Sequence, residues 1–143
     1  MTCGATSGIC EGACSPAALG ESYIGCEYFP TVTGNVVDTN FSFAVAVSNT
    51  SADASAHVTI EDGALTEPVE FDVPAGDVQV QKLPWVWYLK DRAGALWTEG
   101  AAYRLRSTLP VTVYQFNPLE YTDGEANYSE TNDASLLLPK NAL

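Results

Sequence analysis

Histidine and basic residues are scarce in this 143-residue chain, and the scarcity removes whole classes of chemistry. His57 is the only histidine. A Ser-His-Asp or Cys-His centre would have to use it, yet it falls on the polar side of a predicted strand with no G-x-S-x-G elbow nearby. A zinc hydrolase needs two or three histidines or a mixed ligand set, which the chain lacks. No phosphate-cradling loop or dinucleotide fingerprint is present. Paired carboxylates can hydrolyse glycosides, and Glu120, Asp123, Glu125 and Glu130 are available, but abundance among 18 acidic residues is not pairing. The expectation is a protein that is not an enzyme.

Lysine and arginine number 6, and none precedes Lys82. The formal net charge of −12 and an isoelectric point near 4.1 argue against nucleic acid and anionic lipid, which are held by cations that neutralise phosphate. Long hydrophobic runs are missing too. Nothing approaches the roughly 18 consecutive apolar residues of a membrane span, so membrane insertion is not expected. The start has no basic and apolar leader, so an exported protein would have lost its targeting segment or would carry it upstream. What remains is 46% hydrophobic and only 17% charged, the composition of a chain that folds. One domain burying roughly 68–70% of its unfolded surface is expected at this length.

Four cysteines, Cys3, Cys10, Cys14 and Cys26, crowd into the first 26 residues among Gly, Ala, Ser and Thr. Clustered cysteines in a loop-like stretch read as disulfides and hence an oxidising, extracellular compartment, with three pairings open. Zinc is the rival, weakened by irregular gaps and the lack of a C-x-x-C pair. Four free thiols in a reducing cytosol are the third reading. Residues 1–26 are therefore set apart as a cysteine-rich arm or the end of a stalk, and 27–143 as the globular domain, with Cys26 open to either.

Beyond Pro30 the pattern has period two. Phe41, Phe43, Val45 and Val47 alternate with small residues, and Val58 and Ile60 with His57, Thr59 and Glu61. Val69, Phe71 and Val73 alternate with acids, Val78 and Val80 with Gln79 and Gln81, and Tyr103 and Leu105 with Arg104 and Arg106. Each run offers one apolar and one polar face. Pro110 allows a break, and 111–116, apolar on both faces, is the candidate central strand. Short strands with Gly and Pro turns between them describe an all-β fold, an antiparallel β-sandwich.

Three groups are candidate binding equipment. Trp85, Trp87, Tyr88 and Trp97 lie in a loop-like excursion where exposed rings can stack on sugars or anchor a protein interface, although the bland reading has Trp85 and Trp87 capping the core. Gln115 and Asn117 can contact a ligand or satisfy loop backbone. Asp123, Glu125 and Asn127 stand at alternate positions of an acidic loop and offer calcium hard oxygen ligands, against the plainer reading of a solvated hairpin. The loop lacks the spacing of an EF-hand.

The most specific wording is YQFNPLEYTDGEANYSETNDASLLLP at 114–139, a strand, an acidic loop and a second strand. With SYIGCEYFPTV, FAVAVSNTSADASAHVTI, VPAGDVQVQKLPW and AYRLRSTLPVTVYQFNP upstream, it resembles the bacterial branch of the IgGFc-binding protein N-terminal domain family. The resemblance runs from about Ser22 to the last residue. It implies a secreted or surface-displayed all-β module, often behind a cysteine-rich stalk, with no catalytic residues, and a domain that continues past Leu143. Antibody binding does not transfer with it, because a shared fold does not carry a ligand. The expected function is an extracellular binding or adhesion module for a protein or glycan. The alternative is a structural spacer with no ligand. A binder should expose aromatic surface, and a spacer should bury its tryptophans.

Overall fold

The computed structural model describes residues 2–3, 10–90, 97–130 and 132–143. It is all-β. Strands β1 (Thr2–Cys3) and β2 (Cys10–Glu11) form a small antiparallel ladder of their own. The other seven are β3 (Gly25–Tyr28), β4 (Phe43–Asn49), β5 (Ala56–Asp62), β6 (Val69–Val73), β7 (Val78–Leu83), β8 (Tyr103–Phe116) and β9 (Ala134–Leu136), all joined through antiparallel pairings. Two single helical turns, α1 (Pro16–Leu19) and α2 (Trp87–Lys90), complete the chain with a 3₁₀ turn at Lys140–Ala142. The division drawn at 26/27 from composition falls inside β3.

Strand β8 is the spine. Its first half is flanked by β5 and β3, with Arg106 facing Thr59 on one side and Glu27 on the other. Its second half is flanked by β4 and β9, with Tyr114 facing Ala46 and Leu136. Gly25 and Asn49 both face Val111, so β3 and β4 lie on opposite edges there, and β4 and β5 follow one another along the same edge. Two four-stranded arrays result, β6-β5-β8-β3 and β7-β4-β8-β9. The break expected at Pro110 is a change of partner and not of strand: pairing passes from Val58 at Ser107 to Asn49 at Val111. A residue without an N–H costs no ladder bond where no neighbour is paired to it.

Both arrays feed one core. Phe43, Val45, Val47, Val111 and Val113 from one and Val58, Ile60, Val73, Tyr103 and Leu105 from the other are buried together with Tyr28 and Trp85. The Tyr28 hydroxyl donates to the carbonyls of Val111 and Tyr23, and burial pushes its pKa well above the ordinary phenol value. Asn49, fully buried, stitches the arrays: its amide donates to the carbonyls of Ala54 (2.7 Å), Val73 (2.9 Å) and Pro74 (3.2 Å), while its oxygen accepts from the Ser51 N–H. A buried amide is tolerated when all of it is used.

Two strands differ from the sequence expectation. The run at 111–116 is central, but its faces are unequal, with Val111, Val113 and Gln115 buried and Tyr114 exposed. In β7 the apolar residues point away from the core. Gln79 and Gln81 face the buried Val47 and Val45, whereas Val78 and Val80 are 50% and 51% exposed. Leu83 explains this. It pairs with Phe43 on the core side, and strict alternation then sends every even-numbered residue of β7 outward.

Candidate functional site

The excursion after β7 is anchored at its base by buried side chains. Trp85 is buried, packs against Phe43 with ring centroids 6.0 Å apart, and donates its indole N–H to the Phe41 carbonyl at 2.9 Å. Lys90 is also buried. Its ammonium donates to the Val37 carbonyl and stands 5.2 Å from the Trp85 ring centre and 5.9 Å from that of Trp87. A desolvated lysine held by a carbonyl and aromatic faces fixes the helical turn between them. The backbone seals it, with Asn35 N–H donating to the Lys90 carbonyl at 2.8 Å. On this base Trp87 is 52% exposed and Tyr88 70%; Trp97, further along the chain, is 86% exposed. The pair expected to cap the core is thus split: Trp85 is in it and Trp87 stands half outside.

The other binding candidates are engaged by the chain itself. The Gln115 oxygen accepts from the Thr31 N–H at 2.9 Å, and the Asn117 amide donates to the Thr33 hydroxyl at 2.7 Å. Both staple the segment 31–33 to the end of β8, the loop-satisfying role open to such amides. In the acidic loop, Asp123 accepts from the Glu125 N–H at 3.0 Å and from the Asn127 amide at 2.7 Å, and the Asn127 amide above all, with that N–H, holds its carboxyl below the ordinary value. Asn127 therefore spends its amide group on Asp123, and among the described residues no three His, Cys, Asp or Glu side chains gather as a metal site. Glu120 accepts from the Ser42 N–H and hydroxyl and pairs with Lys82 at 2.6 Å. Burial alone would raise its carboxyl, but Lys82 and Ser42 outweigh burial and hold it low.

Of the cysteines, Cys14 and Cys26 form a disulfide with Cα atoms 5.7 Å apart, tying the arm to β3. The backbones of Cys3 and Cys10 face one another across β1 and β2, and their side chains lie outside the described residues. The tether shapes a feature that sequence reasoning missed. A groove of about 760 Å³ runs over the outer face of β5, β8 and β3, walled by Cys14, Pro16 and Leu19 of the arm and by Lys140 and Asn141. The Asn141 amide donates to the Gly20 carbonyl at 2.9 Å, closing the two walls together.

His57, Arg106, Ser107, Thr108 and Glu27 line the groove floor. His57 pairs through Nδ1 with Asp72 at 2.9 Å, both side chains open to solvent. That is an imidazole held by a carboxylate, but the Ser107 hydroxyl accepts from the Leu109 N–H and no hydroxyl is bonded to the imidazole among the described residues. Burial works to raise the Glu27 carboxyl, and its ion pairs with Lys140 at 3.0 Å and Arg104 at 2.6 Å overcome this and hold it low. Compared with known proteins, the chain matches no family model, no curated protein and no solved structure.

Proposed function

We propose that this chain is a non-catalytic extracellular recognition module, a β-sandwich whose two arrays face each other across the shared core, and that it binds a protein or glycan through the excursion at 85–97. The observation that carries the reading is the contrast within that excursion: Trp85 and Lys90 are buried and locked, while Trp87, Tyr88 and Trp97 present their rings to solvent. Trp87 and Tyr88 ride on the helical turn fixed by Trp85 and Lys90, and aromatics held in this way lose little entropy on binding and make effective anchors. The Cys14–Cys26 disulfide supports a non-reducing compartment. The wording at 22–143 supports kinship with the IgGFc-binding N-terminal domains, and the ligand is a separate question from that kinship.

The test is a screen of the oxidised chain against a glycan array, mucin and immunoglobulin Fc, with and without calcium. Saturable binding that weakens roughly tenfold or more in W87A or W97A is the expected result. A folded, disulfide-intact sample that binds none of them overturns the reading in favour of a structural spacer. That second reading is favoured by one observation: Gln115, Asn117 and the acidic loop are closed on the chain itself.

A further inference from the structure

We propose that the groove between the disulfide-tethered arm and the charged array is a binding site for a small carboxylic acid with an apolar body. It shares no residue with the aromatic excursion and stands independently of the reading above. Its size falls in the range of small-molecule sites, roughly 300–1,000 Å³. Its walls give an apolar half, Pro16, Leu19 and the Cys14–Cys26 disulfide, and its floor gives a polar half, Arg106, His57, Thr59 and Thr108.

The groove lining points to an acid, because Arg106 and Lys140 stand in it against the single carboxylate of Glu27. The chain carries a net −12, yet three of its six Lys and Arg residues, Arg104, Arg106 and Lys140, gather at this one face with its only histidine. Glu27 and Glu61 answer the three cations, while Asp72 on the same face takes His57 and Glu70 lies opposite Thr59. Glu27 is taken by Arg104 and Lys140, and Glu61 is shared by Arg106 at 3.0 Å and Arg104 at 3.6 Å. Arg106 reaches Glu61 through Nη2 only, so among the described residues its Nε and Nη1 protons have no acceptor. Thr108 accepts the His57 backbone N–H on its hydroxyl oxygen and keeps its own proton to donate. A carboxylate beside Arg106 receives a charge-assisted bond from one of its free N–H groups and a second from the Thr108 hydroxyl, and the apolar body of the acid lies along Leu19, Pro16 and the disulfide. An uncharged molecule of the same body would leave those donors unanswered.

The experiment is an amide-resolved NMR titration of the full oxidised chain with octanoate, octanol and acetate. Octanoate is expected to give saturable shifts confined to Leu19, Thr59, Arg106 and Thr108, with octanol roughly tenfold weaker and acetate without effect. R106Q is expected to weaken octanoate roughly tenfold and leave octanol unchanged. L19D, placed on the arm away from the sheet, is expected to weaken both and keeps the proposal testable should R106Q disturb the fold. Octanoate without saturable shifts, shifts centred on Val80 and Tyr114, or equal octanoate affinity in R106Q and the parent would overturn it.

Discussion

Two rows of side chains cross the outer surfaces of the two arrays, and they could hardly differ more. On β7-β4-β8-β9 the row reads Val80, Ala46, Tyr114, Leu136; on β6-β5-β8-β3 it reads Glu70, Thr59, Arg106, Glu27. Strand β8 supplies a member of each. Its inward residues obey the shared core on both sides of Pro110, so the inner faces are alike. The outer faces answer no such constraint, and they diverge. The charged row lies beneath the arm and is laced by ion pairs, whereas the apolar row leaves Val78, Val80, Tyr114 and Leu136 open to solvent.

The largest way to break the comparison is to cut the stitch between its halves. Asn49→Ala removes the donor to three carbonyls and the acceptor for Ser51, and is expected to cost on the order of 3 kcal/mol in urea unfolding. Next comes the edge of the charged array. A methyl group on Gly25 would lie 2.3 Å from the Pro139 side chain, so Gly25→Ala is expected to cost about 1–3 kcal/mol and to detach the C-terminal turn, seen as loss of amide protection at Ala142 and Leu143.

Acid separates the halves by one carboxyl each. Glu27 on the charged array and Glu120 beside β4 and β7 are both held below the ordinary 4.5, so the folded chain takes up their protons less readily than the unfolded chain. The stability they give is complete above pH 4.5 and is lost as pH falls through their folded values. Urea midpoints measured from pH 7 down to 2.5 are expected to fall below pH 4.5, and to fall less steeply in E27Q and E120Q. The smallest effects test the rows themselves. Glu61→Gln is expected to cost under about 1 kcal/mol and to lose even that difference in molar salt, because its partners are half exposed. Val80→Thr is expected to change stability by less than about 0.5 kcal/mol and to lower binding of an apolar dye.

Alternation made β4 to β8 legible because each has a core side, and the wording after Asn117 made a strand beyond the acidic loop legible. What alternation alone left open is which side faces in. Val78 and Val80 read as a buried stripe until Leu83 is paired with Phe43, and that pairing joins residues 40 apart. The tryptophans were visible as a group, but only the Phe41 carbonyl and the Phe43 ring distinguish Trp85 from Trp87. Four cysteines permit three pairings, and Cys14 with Cys26 is selected by the fold of the arm onto β3. The groove had no local signature, since its walls come from 14–19, 26–27, 57–59, 106–108 and 140–141.

Strand β8 also sets a timetable for biosynthesis. Four of the other strands, β3, β4, β5 and β9, pair with it, and three of those four precede it in the chain. As the chain leaves the ribosome, the β5–β6 hairpin can close early and β4 can find β7, but β3 must wait some 80 residues for β8. Half-built sheets with open edges are the species that aggregate. The nascent chain is therefore in particular need of a chaperone in the interval before residue 116 emerges.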